Sequence, residues 1–155
     1  MAALSTESAS RGRESAPSAT SRLRVVELPF ERLSESFVAR WADLERRSVE
    51  GNAFLSPHFA IPAVEHLQGT SQQKPLILAV ESEGSAELLA LGLFEPASST
   101  RLLPLSHLQS WRCEHTLLDG MLVDQKNGQD ALIALFEWLG NQGRRWHGVA
   151  FTGRS

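Results

Sequence analysis

Two apolar runs, PLILAVES (75–82) and ELLALGLFEPAS (87–98), lie a few polar residues apart and constrain the fold more than any other feature of the chain. The connection ESEGSAE is polar and carries Gly84, so the pair predicts a β-hairpin with a long loop. Before it, LRVVELP (23–29) reads as a short strand ended by proline. In ERLSESFVARWADLERRS (31–48), Leu33, Phe37, Trp41 and Leu44 recur at intervals of four, four and three, with Val38 alongside. That spacing predicts an amphipathic helix.

The stretch GNAFLSPHFAIPAVEHL (51–67) predicts a second helix. Ser56 is placed to cap it, and Pro57 suits the first helical position because its missing N–H has no intrahelical partner there. Phe59, Ala60, Ala63, Val64 and Leu67 form one stripe, with Leu55 as a staple residue before the cap. Pro62 implies that this helix starts late or is kinked. Residues 99–116, including RLLPLSHLQSW, show no clean period and read as irregular with one short strand. LLDGMLVD (117–124) predicts a buried strand. KNGQDALIALFEWLGNQG (126–143) gives the clearest helix. Asn127 and Asp130 are spaced as a capping box, Leu132, Leu135, Phe136 and Leu139 form the stripe, and Gly140 or Gly143 ends it. WHGVAFTG (146–153) closes the pattern as a strand. No internal repeat is visible.

A chain of 155 residues makes one domain, or one domain and a tail. The first 22 residues are mostly Ser, Ala, Thr, Arg and Glu, too poor in apolar area to offset chain entropy, and are expected to be a disordered tail. Glu7, Glu14 and the lack of an apolar face argue against a targeting segment there. A net charge of −3 gives no electrostatic reason to expect nucleic acid. The single cysteine, Cys113, excludes an internal disulfide and fits a reducing compartment, hence a cytoplasmic expectation. No run of eighteen apolar residues suggests a membrane span. The five histidines (His58, His66, His107, His115 and His147) include no i, i+4 pair and no zinc-like spacing with cysteine, so no metal is expected. Tyrosine is absent, which removes one common catalytic acid, and Trp41 and Trp138 read as core or interface anchors.

Several segments together resemble one family. They are Trp41-x-x-Leu44, Asn52-x-Phe54-Leu55-Ser56-Pro57-x-Phe59, the 75–96 hairpin, Glu114-His115-Thr116 leading to Leu122-Val123-Asp124, and the helix from Ala131 with the strand after Trp146. Over residues 23–151 they resemble the N-terminal half of the CelD-like acyltransferases, GNAT-type enzymes related to the FemAB peptidyltransferases. The resemblance implies an α/β (α+β) fold: a mixed, mostly antiparallel sheet with helices on its faces, in the order β-α-α-β-β-β-α-β. Members of that family are longer and have two GNAT-like halves, so residues 23–155 are expected to be an incomplete domain without its C-terminal part. The implied activity is acyl transfer from acyl-CoA, as co-substrate, to a small-molecule or glycan-precursor acceptor. The implied partner is a second GNAT-like half or a further copy of the chain. The alternative reading is a non-catalytic binding module that pairs with such a half.

The resemblance also implies where acyl-CoA would bind, because GNAT enzymes hold the pyrophosphate on backbone N–H groups at a helix start. Here that place reads Gln125-Lys126-Asn127-Gly128-Gln129. Unpaired donors and the macrodipole favour anions at such a point. Asp124 and Asp130 flank it, however, and their carboxylates would repel a pyrophosphate and compete for the same donors, so the residues alone read as a capped helix after a polar turn. His115 is the candidate general base for an amine, since an imidazole titrates near neutrality. Cys113 and His115 would share a strand face if that segment were extended, which makes them a nucleophile pair to test. Glu81, Glu83 and Glu95 close the hairpin strands and read as solvated strand ends.

Overall fold

A computed structural model describes residues 22–67, 73–97, 105–116, 118–142 and 145–151. Residues 1–21 of the expected tail lie outside that set. Among the described residues the elements are β1 (Leu23–Pro29), α1 (Glu35–Arg47), α2 (Pro57–His66), β2 (Leu76–Ser82), β3 (Leu88–Ala97), β4 (His107–Ser110), β5 (Leu122–Val123), α3 (Gly128–Asn141) and β6 (Val149–Ala150). They form one mixed, mostly antiparallel sheet in the order β1-β2-β3-β4-β6, with β5 also on β3. Only β4 and β6 pair in parallel, at Leu108↔Val149 and Gln109↔Ala150.

The hairpin is the centre of the sheet, and its continuous apolar sequence has a physical reason. Ile77, Ala79, Leu91 and Leu93 join a core shared with Phe37, Trp41 and Leu44 of α1 and Ala60, Ala63 and Val64 of α2. Leu78, Val80, Ala90 and Phe94 face the other way, into a core shared with Ala131, Leu135 and Leu139 of α3. Strands covered on both faces need apolar residues at every position rather than at alternate ones.

Each helix carries local signals that set its ends. Ser34 precedes α1 and its hydroxyl accepts from Phe37 N at 3.2 Å, while Arg46 and Arg47 stand in the last turn. Pro57 is the first residue of α2, and the helix continues through Pro62 to His66. Ser56 does not cap it, because its hydroxyl donates to Glu45 Oε2 at 3.1 Å. The neighbouring Phe54 and Leu55 have defined roles. Phe54 meets the edge of Phe59 at a centroid distance of 5.2 Å, and the Leu55 carbonyl accepts the buried Trp41 indole N–H at 2.8 Å. A bare apolar pair ahead of Ser-Pro therefore ties α2 to α1.

Three expectations need correction. In α3 the capping box does not form, since Asn127 makes no side-chain cap and its amide reaches instead towards Asp124 Oδ2 at 3.4 Å. The buried stripe is Ala131, Leu135 and Leu139, whereas Phe136 is 60% exposed, because at 100° per residue it falls outside the arc that meets the sheet. The expected strand 117–124 includes residue 117, which lies outside the described residues, and 118–124 do not make one strand. Pairing is confined to Leu122–Val123, since Asp119 Oδ1 accepts the next residue's N–H at 3.0 Å and Gly120 sits at φ +132°. That positive φ breaks the extended path and favours glycine.

β4 and β5 are two pieces of one line along β3. Phe94 faces Ser110 and Leu91 faces Leu122, and the line is interrupted between them. Gly92 lies at this break, where an added Cβ would come within 2.6 Å of the Phe94 ring and 2.9 Å of Met121 Cγ. Glycine allows that side chain and ring to close over the strand.

Candidate functional site

α3 follows β5 and leads to β6, which pairs in parallel with β4, so a helix connects two parallel segments of one sheet. Ligands of open α/β sheets bind outside the carboxyl ends of such segments. Here that end is the loop from Asp124 to Gly128. Asp124 is 2% exposed and is the loop's organising residue. Its Oδ2 accepts from Lys126 N at 3.0 Å and from Asn127 N at 2.9 Å. Its Oδ1 is held by Arg47 Nη1 from the end of α1.

The loop backbone is tied to α1 as well. Gln125 N donates to Arg47 O at 3.0 Å, Gln125 Nε2 donates to Ser48 O at 3.0 Å, and Val49 N donates to Val123 O at 2.8 Å. Gly128 packs so closely on the strand that an added Cβ would fall 2.3 Å from Val123 Cγ1. Arg47 also meets Asp43 and Glu87. Burial opposes its charge, and these carboxylates with Asp124 outweigh burial, holding the guanidinium above its ordinary range. Asp43 in turn is held below the usual carboxylate range, chiefly by the Arg47 hydrogen bond.

Of the residues assigned to a pyrophosphate, Gln125, Lys126, Asn127 and Gln129 are exposed and Gly128 is buried. They do lie together at a helix start. Two of their N–H groups, Lys126 N and Asn127 N, are on a carboxylate of the same chain, and a third, Gln125 N, is on Arg47 O. Asp124 thus supplies an anion to the loop just before the helix start.

The other candidates are dispersed. Cys113 and His115 do not share a strand face, because Thr116 N donates to Cys113 O at 3.0 Å and turns the chain. The buried Cys113 thiol lies 3.2 Å from Thr116 Oγ1, while Glu114 and His115 are exposed. Glu83 is exposed, but Glu81 and Glu95 are not solvated strand ends, being 4% and 1% exposed. Glu81 faces its register partner Arg24 and also accepts from Arg40 at 2.8 Å, and Glu95 accepts from Gln109 Nε2 at 2.6 Å. Pairing across strands and from α1 is what makes these burials tolerable.

A second feature lies at the break in the sheet, where sequence reasoning named nothing. Ser110 and Asp119 line one small cavity with Phe54, Leu93, Trp111 and Leu118 among its walls. Asp119-Gly120 is a turn signal readable in the sequence, but its proximity to Ser110 is not. Among the described residues no group of three His, Cys, Asp or Glu could hold a metal ion. No described helix is long and apolar enough to cross a membrane.

No protein-family model matches the sequence. A search of curated proteins finds no match either. Among solved structures, the chain is similar to a ribosomal-protein-alanine N-acetyltransferase from Brucella melitensis biovar Abortus 2308, at 13% identity over 86% of this chain and 81% of that one, with a TM-score of 0.45. It is similar to a possible acetyltransferase from Clostridium difficile 630, at 8% identity over 86% and 80%, with a TM-score of 0.43. An aminoglycoside N-acetyltransferase in complex with CoA matches at 11% identity over 90% and 81%, with a TM-score of 0.38. Likeness at this level assigns this chain neither an activity nor a ligand.

Proposed function

We propose that the chain is an acyl-CoA N-acyltransferase-type (GNAT-like) domain in degenerate form, acting on or binding a small-molecule or glycan-precursor acceptor. The observation that supports the family is the topology. An antiparallel meander leads through an interrupted strand into a helix, and the chain then returns parallel to that strand. Within the family, the Trp41-x-x-Leu44 and FLSPHF segments support kinship with the CelD-like acyltransferases, and with it a second GNAT-like half or a further copy as partner. A cytoplasmic setting goes with this reading. Gln125 to Gln129 are the cofactor segment of the reading, and His115 is its candidate base.

One observation favours a second reading, a binding module without catalysis. Asp124 is on two of the N–H groups of the segment assigned to acyl-CoA, those of Lys126 and Asn127. A unit charge beside another at 4 Å costs about 4 kcal/mol at an effective dielectric near 20, enough to offset what a helix start contributes. Calorimetry with a panel of acyl-CoAs separates the two. The expected result is weak or undetectable binding to the native chain and a gain of at least about tenfold in Asp124→Asn with Asp130→Gly, a difference of about 1.4 kcal/mol. Micromolar binding by the native chain would overturn the closed-loop account. No gain in the double variant would remove the carboxylates as its cause, and with them the observation that favours the binding module.

A further inference from the structure

We propose that the outer edge of β1 is a pairing surface for a second copy of the chain, with the two β1 strands antiparallel about a two-fold axis at Val25. Among the described strands β1 stands at one end of the sheet and pairs only with β2, in a ladder of seven residues without a bulge. Arg22 O accepts from Glu83 N at 2.9 Å and Phe30 N donates to Pro75 O at 3.3 Å, which fixes the alternation of that ladder. Arg24, Val26 and Leu28 therefore turn their N–H and C=O groups towards β2, and Leu23, Val25, Glu27 and Pro29 turn theirs outward. Among the described residues no backbone group bonds to Leu23, Val25 or Glu27 from the outer side. Pro29 has no N–H to offer and ends the free edge.

The side chains narrow the occupant. Leu23 and Val25 are half-buried against the α3 core, and Leu28 is half-buried against the core under α1 and α2, with Val26 also half-buried. The rim of the sheet is thus apolar on both faces, and a strand added there needs apolar residues on both of its own faces. β1 itself has them, in LRVVEL. Charged side chains are a common guard of sheet edges. Here Arg24 is engaged with Glu81, and Glu27 accepts from Arg145 at 3.1 Å, so both charges are matched within their own chain. With Val25 opposite Val25 of the second copy, Leu23 faces Glu27 and Arg24 faces Val26, so no like charges stand opposite one another. In that register the three outward residues of each copy bond through every free N–H and C=O, and Pro29 falls beyond the bonded residues. Strands about 24 Å long in a sheet about 10 Å deep bury roughly 500 Å² in total, below the roughly 1,200 Å² of stable interfaces, so the dimer is a weak and exchanging one. This names the surface for the further copy in the reading above, yet it rests on the edge of β1 and not on acyl transfer.

The test is sedimentation velocity and NMR on the full chain, from micromolar to millimolar concentration. The native chain should pass reversibly from monomer to dimer within that range. As it does, the amide protons of Leu23, Val25 and Glu27 should slow their exchange with solvent, while those of Arg24, Val26 and Leu28 stay protected at every concentration. A mixture of labelled and unlabelled chains should show contacts between the Hα atoms of Arg24 in one copy and Val26 in the other. Val25→Pro removes an N–H that β2 does not use and should weaken the dimer at least about tenfold, with its thermal midpoint recorded. If that variant does not fold, the exchange and mixed-label results on the native chain decide. A monomer at every concentration, or a dimer that leaves the three outward amides unchanged, would overturn the proposal. So would outward amides already protected in the monomer, since the edge would then belong to another segment of the same chain. Acyl-CoA binding by a chain that stays monomeric overturns this proposal alone. A dimer with no acyl-CoA binding, by the native chain or by Asp124→Asn with Asp130→Gly, leaves it standing and counts against the acyltransferase.

Discussion

Leu135→Ala, set against Phe136→Ala one residue away, tests how α3 lies on the sheet. Leu135 is 1% exposed and shares a core with Leu78, Val80, Leu89 and Phe94, whereas Phe136 is 60% exposed. Removing three carbons from the buried position forfeits about 0.8 kcal/mol each in transfer free energy. The hole left behind adds to that, because the facing residues sit on laddered strands whose backbone cannot follow the missing side chain. Together these give a cost of roughly 3–5 kcal/mol, within the range of measured buried leucine truncations. At this chain length each kcal/mol lowers the melting temperature by about 2–4 °C, so a drop of roughly 6–20 °C is expected. Phe136→Ala should stay within about 0.5 kcal/mol, as surface changes do. Urea unfolding followed by tryptophan fluorescence measures both, with an unchanged m-value as the check that only stability moved. Equal costs at the two positions, or a cost below about 0.5 kcal/mol at Leu135, would refute the placement of the helix.

Gly128→Ala should destabilise by roughly 1–3 kcal/mol despite alanine's better helix propensity, because its Cβ would meet Val123 Cγ1 at 2.3 Å. Val123→Ala in the same chain should recover most of that loss in a double-mutant cycle, and additivity of the two changes would count against the contact. Glu81 gives a pH dependence. Burial raises its pKa, but Arg24 and Arg40 outweigh burial and hold it below the ordinary carboxylate value. Its contribution is therefore present above the unfolded value and lost as pH falls through the lower folded one. The stability difference between the native chain and Glu81→Gln should shrink as pH is lowered from about 5 towards 2, and a difference independent of pH would remove the ion pairs as its source.

What depends on neighbours a few residues apart is legible along the chain. The periods of 33–44 and 132–139, the proline at position 57 and the two apolar runs specify helices and a hairpin, because helix spacing and the pairing of strands adjacent in the chain are local properties. The residues that decide ligand chemistry were not legible in this way. Asp124 and Asp130 read alike along the chain, as two acids beside a helix start. Only the return of α1 beside β5 places Arg47 on Asp124 and turns that carboxylate onto the loop's own N–H groups. Glu81 and Glu95 read as strand ends because charged residues are costly to bury, and their partners Arg24, Arg40 and Gln109 come from other elements. Phe136 looked like core because the apolar residues of α3 span more of its circumference than the sheet covers. Ser110 and Asp119 stand nine positions apart and line one cavity only because β4 and β5 both pair along β3. Burial and pairing of polar groups are set by long-range register, and register is decided by the whole core at once.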